Sequence, residues 1–199
     1  MSEIFFAPEI LETETFVVRC YRPGDGPALA EALNASYEHL KTFMDWAKPY
    51  TSDDEAEQLV RRFYANYLTS TDFVLSVWDA AGKRLLAGSG FHLRGDGLEN
   101  RSAEVGMWVR ADASGQGLGA RILSALLAWG FSEWPWERLA WRCDGRNTRS
   151  RRTAEKAGML YEGCLHGHRL LPDGTRSDTL CFAAMRGEWK QDSRDRMQE

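Results

Sequence analysis

Apolar residues first gather in a β-branched and aromatic run, Phe16-Val17-Val18-Arg19-Cys20-Tyr21, which predicts a strand. Pro23-Gly24-Asp25-Gly26-Pro27 punctuates it, and helical composition follows from Ala28 to about His39. Phe43, Trp46, Pro49 and Tyr50 form an aromatic connection. Ser52 and Glu55 have capping-box spacing, and behind them Ala56, Leu59, Val60, Phe63, Tyr64 and Tyr67 recur at helical intervals. That pattern predicts an amphipathic helix ending near Leu68.

Strands are predicted at Phe73–Trp78 and from Arg84 to about Leu93, joined by a turn at Ala80-Ala81-Gly82-Lys83. Gly88-Ser89-Gly90 interrupts the second and reads as a bulge. After a polar loop from Arg94 to Asn100, Ser102–Val109 is another strand. A glycine-rich loop leads into a helix from about Leu118 to Phe131, with Ile122, Leu123, Leu126, Leu127 and Phe131 on one face. Leu139–Cys143 is a strand and Asn147–Ala157 a basic helix. Met159 to about His168 and Thr175–Met185 are strands joined at Pro172-Asp173-Gly174. Antiparallel strands followed by a strand-helix-strand crossover imply an α+β fold. Its expected core is a mixed, mostly antiparallel sheet of about seven strands with helices on both faces.

The 199 residues fit one domain, with a core over about 10–187 and a charged tail over 190–199. A formal net charge of -4 excludes the whole chain as an electrostatic nucleic-acid binder. Cys20, Cys143, Cys164 and Cys181 have neither CxxC nor zinc spacing and read as reduced thiols packed as small hydrophobes. The start, Met1 to Phe6, does not read as a signal peptide, and no apolar run is long enough to span a membrane. The expected compartment is the cytoplasm.

The most informative segment is Ser114-Gly115-Gln116-Gly117-Leu118-Gly119-Ala120. Glycines at alternating positions between a strand and a helix let the backbone turn tightly and bring its amides to a ligand. The helix N-terminus adds unsatisfied N–H groups and a positive dipole end, which suits a pyrophosphate. A Walker loop is excluded because Gly119 is followed by Ala120 and Arg121, and the spacing is GxGxG rather than the dinucleotide GxGxxG. A tight turn with no ligand is the alternative, but it needs fewer glycines.

Strand, GxGxG and amphipathic helix together resemble the acyl-CoA-binding signature of the GNAT superfamily of N-acetyltransferases. Asn147-x-x-Ser150, Glu155-Lys156-Ala157-Gly158-Met159 and Glu162-Gly163 resemble a run of its ribosomal-protein alanine acetyltransferase (RimJ/RimL-type) branch. Leu11–Arg19 resembles that branch's opening strand. The resemblance covers about residues 10 to 187 and implies a single-domain GNAT-like fold. It also implies acetyl-CoA as co-substrate, no metal, and transfer of acetyl to a primary amine by direct attack on the thioester. The acceptor would be a protein N-terminus or a small-molecule amine, with no nucleic acid and no membrane as partner. A homodimer is compatible with the family. A catalytically inactive acyl-CoA-binding module is the other reading. Two departures matter: Ser114 stands where the family often has Gln, Arg or an aromatic residue, and Ala154 where many GNAT enzymes carry a tyrosine general acid.

By the same resemblance, the backbone of Trp108 and Val109 meets the pantetheine and acetyl carbonyl, and Gly115, Gln116, Gly117, Leu118, Gly119 and Ala120 hold the pyrophosphate. Asn147 bonds the pantetheine, and Ser150 bonds the CoA sulfur and acts as general acid. Of the basic residues Arg146, Arg149, Arg151, Arg152 and Lys156, family position selects Arg152 for the 3′-phosphate. Glu104 sits where related enzymes often place a carboxylate; it is either an amine base acting through water or a salt-bridged glutamate. Trp46 and Tyr50 are candidates to overlie the acceptor. His166 and His168, two apart on a strand, should share a face; they lack a third metal ligand.

Overall fold

The computed structural model describes residues 5–94, 98–171 and 173–190. Residues 1–4, 95–97 and 191–199 and Pro172 lie outside the described residues, and with them parts of the expected N-terminus, polar loop, hairpin turn and tail. The chain forms two compact units: Met1–His92 with Met107–Ala113, and Leu93–Gly106 with Ser114–Glu199.

In the first unit, β1 (Ile10–Glu12), β2 (Phe16–Cys20), β3 (Phe73–Asp79) and β4 (Leu85–His92) pair antiparallel in that order. The last residues of β5 (Ser102–Val109) follow β4, and the Arg110 N–H donates to the Leu86 carbonyl at 2.9 Å. Among the described residues β1 raises the strand count to eight, where about seven are expected. Three residues show no readable alternation; only pairing with Val17–Arg19 makes Ile10–Glu12 a strand. β2 alternates as expected, with Phe16, Val18 and Cys20 buried.

The helix expected over Ala28–His39 is two: α1 (Gly26–Asn34) and α2 (Tyr37–Leu40). The break falls at Ser36, which is buried and whose hydroxyl accepts the Ala111 N–H at 3.1 Å. A tertiary bond overrides local helical composition there. α3 (Asp53–Leu68) begins as predicted: the Ser52 hydroxyl accepts the Glu55 N–H at 3.3 Å, and the Glu55 carboxylate accepts the Ser52 N–H at 2.9 Å. Its buried face, Ala56 and Val60, joins Tyr21, Leu29, Trp78 and Leu85 in one core, with Phe63 and Trp108 packed against it.

The bulge in β4 is not at the glycines. Val77 faces Ala87 and Trp78 faces Leu85, so Leu86 is the extra residue, while Gly88, Ser89 and Gly90 keep regular register. Gly88 answers a different need: a Cβ there would lie 2.2 Å from the Trp108 Nε1. The glycine makes room for an indole.

The second unit begins β5 and pairs its Ser102–Glu104 parallel with Arg138–Ala140 of β6 (Arg138–Asp144). β6 then pairs antiparallel with β8 (Arg176–Met185), and β8 with β7 (Leu160–Leu170). α4 (Leu118–Ser132) lies between β5 and β6 in the chain, and α5 (Thr148–Lys156) between β6 and β7. Ile122, Leu123, Leu126 and Leu127 are fully buried, as their spacing predicts. Phe131 is half-buried and meets Trp189, with ring centroids 5.8 Å apart. Trp134 lies 5.3 Å from Trp129 and 6.0 Å from Trp136, all three in the core. β7, last in the strand order, is exposed along most of its length. Cys164 on it is therefore exposed, unlike the buried Cys20 and Cys143, so the expectation of four packed thiols fails at this edge. Among the described residues no helix is long and apolar enough to cross a membrane.

Replacing Gly88 with Ala should displace the Trp108 indole and cost about 1–3 kcal/mol. Urea unfolding should then show a lower midpoint at an unchanged slope. An unchanged midpoint would mean that the indole moves freely.

Candidate active site

The glycine loop enters α4 through two left-handed residues, Gly115 at φ +83° and Gly117 at φ +76°. L side chains rarely adopt this backbone, and a Cβ built on either glycine would meet nothing within 4 Å. These glycines are therefore required by conformation, and the space beside them is open. Gly115, Gln116 and Gly117 are exposed, whereas Leu118 and Ala120 anchor the helix in the core.

Gly117 is the N-cap of α4 and has no side chain with which to cap it; no acidic residue stands in the first turn. The Arg121 N–H bonds the Gly117 carbonyl at 3.1 Å, which leaves Leu118, Gly119 and Ala120 as the amides without an acceptor inside the helix. α3 is the contrast within the same chain. Its N-terminus is closed by a capping box and carries Asp53, Asp54 and Glu55. The start of α4 leaves its donors and positive dipole end uncapped, an arrangement that suits an anion.

α4 packs against α5, whose own N-terminus is built differently. The Asn147 Oδ1 accepts the Ser150 N–H at 3.0 Å, so Asn147 is the cap. The Ser150 hydroxyl does not cap the helix. It accepts the Trp141 Nε1–H at 3.1 Å and also bonds the Cys143 thiol. Trp141 and Cys143 are two apart on β6 and share a face. Neither was singled out by the sequence, although a buried indole in the strand before Asn-x-x-Ser calls for a hydrogen-bond acceptor. Ala154 is fully buried, so the helix has no room for the tyrosine found there in many GNAT enzymes.

Ahead of α5, Asp144 accepts the Arg146 backbone N–H and two guanidinium N–H groups, each at 2.9 Å. Arg151 is paired with Glu155 at 2.7 Å. Arg149, Arg152 and Lys156 have no ion-pair partner among the described residues, so Arg152 is one of three exposed cations left on this helix. Glu104 is 14% exposed; Arg94 holds one of its carboxylate oxygens at 2.9 Å and Arg142 the other at 3.5 Å. Both carboxylate oxygens are thus engaged by cations.

Trp108 and Val109 belong to the first unit, where both are half-buried. The Trp108 ring lies 6.4 Å from that of Trp46, itself exposed, as is Tyr50. His166 and His168 do not share a face. Gly167, at φ +56°, breaks the alternation, so His166 bonds Asp178 and His168 bonds Thr179, successive residues of β8. Among the described residues no group of three potential ligands could hold a metal ion.

The Arg146 guanidinium beside Asp144 holds its carboxyl down at about 2. The unfolded value is about 3.9. A depressed folded pKa contributes stability above the unfolded value, and that stability is lost as pH falls through the folded one. Asp144→Asn should therefore lower the melting temperature at pH 7, and the gap to wild type should shrink between about pH 4 and pH 2. A constant gap across that range would mean that the pair adds nothing through its charge.

The family profile described as an acetyltransferase (GNAT) domain matches residues 16–160. YdaF of Bacillus subtilis (strain 168), described as a candidate ribosomal N-acetyltransferase, is 26% identical over 181 residues, 89% of this chain and 94% of that protein. Two solved structures share the fold. RimL, a ribosomal L7/L12 alpha-N-protein acetyltransferase in complex with coenzyme A, superposes with a TM-score of 0.78 at 20% identity, over 89% of this chain and 98% of its own. The ribosomal-protein-S5-alanine acetyltransferase of Vibrio fischeri has a TM-score of 0.77 at 17% identity, over 92% of this chain and 100% of its own.

Proposed function

The chain belongs to the acetyltransferase (GNAT) family, and we propose that it transfers the acetyl group of acetyl-CoA to a primary amine, of a protein N-terminus or of a small molecule. The observation that carries this reading is the start of α4, where two left-handed glycines border open space ahead of an uncapped helix. Its donor set fits a pyrophosphate. The names of the relatives, ribosomal-protein acetyltransferases among them, favour the N-terminal acceptor. A reducing cytoplasm is the compartment this reading assumes.

Bound acetyl-CoA supplies an activated acetyl thioester whose leaving group is a thiolate. The chain's own residues bind and orient it. Amides from Gly115 to Ala120 hold the pyrophosphate, and Arg152 serves the 3′-phosphate as a fork of donors. Asn147 bonds the pantetheine chain through its carboxamide while its oxygen caps α5. The backbone of Trp108 and Val109 bonds the pantetheine and the acetyl carbonyl. Ser150 donates its hydroxyl proton toward the sulfur as charge develops there. The proton lost by the attacking amine goes to water or to Glu104, whose carboxylate two arginines hold. Most of the rate advantage comes from holding amine and thioester together.

Calorimetric titration with acetyl-CoA, with desulfo-CoA and NAD as controls, tests the reading. Wild type should bind acetyl-CoA and not NAD. Gly117→Val places a branched side chain where the backbone is left-handed and the ligand must approach, so acetyl-CoA binding should be lost. Unchanged affinity would remove the loop from the site. Acceptors are then screened by CoA release, with ribosomal-protein N-terminal peptides in one arm and small amines in the other. Binding without release from any acceptor would make the chain an acyl-CoA-binding module.

Ser150→Ala should lower kcat on the order of 10²-fold while leaving the KM for acetyl-CoA within about twofold. A matching rise in KM would make Ser150 a binding contact rather than an acid.

A further inference from the structure

Resting on the role proposed for Ser150, a second residue is drawn into the proton transfer. The Trp141 indole is buried, and its Nε1–H reaches the Ser150 Oγ at 3.1 Å. An indole nitrogen only donates, so in this pair the serine oxygen must accept. The Ser150 backbone N–H is fixed separately by Asn147. Residue and hydroxyl are thus held from two directions, one from its own helix and one from β6.

The remaining capacity of Ser150 is its own proton. Among the described residues no nitrogen or oxygen accepts it. Cys143, on the same face of β6 as Trp141, bonds the hydroxyl; burial pushes its thiol up, so it stays an S–H group whose sulfur is only a weak acceptor, one that a CoA thiolate would outcompete for the proton. Asp144, Cys181 and Arg151 are the other titratable or charged groups acting on Cys143.

We infer that Trp141 is a positioning residue: its indole N–H occupies the acceptor side of the Ser150 hydroxyl and so turns the hydroxyl proton toward the sulfur of bound CoA. No bond is made or broken by Trp141. It sets the direction in which Ser150 donates.

The test reads the thiol of bound CoA rather than turnover. The ratio of CoA affinity to desulfo-CoA affinity, followed across pH, gives the pKa of the bound thiol. A hydroxyl donating to the thiolate lowers that pKa below its value in free CoA. Trp141→Phe keeps an aromatic ring and removes the N–H. It should move the midpoint back up by about half a unit, roughly threefold less thiolate at a pH below the midpoint. Desulfo-CoA affinity should stay within about twofold, because the phosphate contacts are elsewhere. In the double variant Trp141→Phe, Ser150→Ala the midpoint should equal that of Ser150→Ala alone, as expected if the indole acts through the hydroxyl. Asp144, Cys143, Cys181 and Arg151 are common to all these proteins.

If wild type shows no lowered midpoint, the acid role of Ser150 fails and this inference with it. If the midpoint is lowered and Ser150→Ala restores it while Trp141→Phe does not, Trp141 only packs, and the inference is overturned with Ser150 intact. Should Trp141→Phe fail to fold, the Trp141 indole N–H resonance of wild type decides. It should move on adding CoA and not on adding desulfo-CoA. An equal response to both ligands would overturn the inference.

Discussion

The first turn of a helix carries N–H groups that its own backbone cannot satisfy, and three helices of this chain meet that constraint in three ways. α3 closes its start with Ser52 and Glu55 and three acidic side chains. α5 uses the Asn147 carboxamide. α4 starts from Gly117, which has nothing to offer, behind a second left-handed glycine. The donors left there are the physical basis of the proposed cofactor site. The core residues of α4, from Leu118 onward, fix the helix so that its N-terminus stays in place without a cap.

The same demand for satisfied polar groups shapes the surroundings of Ser150. A buried indole needs an acceptor, a helix start needs a cap, and a buried carboxylate needs a cation. Trp141 finds Ser150, the α5 amide finds Asn147, and Asp144 finds Arg146. Once these are met, the Ser150 proton has only the weakly accepting Cys143 sulfur beside it among the described residues. Glu104 meets the same demand with two arginines, one at each carboxylate oxygen.

In the first unit, Arg110 is buried immediately after β5, yet fully compensated by Glu31 and Asp112. Two carboxylates share its charge and offset the cost of burying it. Nearby, Ser36 receives the Ala111 amide and Gly88 yields space to Trp108. These contacts hold the end of β5 and the residues just after it within the first unit. None of the residues involved resembles a functional motif, but the backbone of Trp108 and Val109 depends on them.

Local signals were legible in the sequence. The capping box at Ser52, the apolar spacing of α3 and α4, the limits of β5 and the glycine spacing at 115–119 depend on residues within a turn or two of one another, so pattern alone determines them. Resemblance added Asn147 and Ser150 as expectations, and the family match bears out the family alone. Tertiary structure decided the rest. It broke the first helix at Ser36, moved the β4 bulge to Leu86, made Ile10–Glu12 a strand, separated His166 from His168 and left Cys164 exposed. It also joined Trp141 to Ser150, and Glu104 to Arg94 and Arg142. Each of these depends on a partner brought close only by folding. A hydrogen bond or an edge position has no period along the chain, so no reading of that period could have found it.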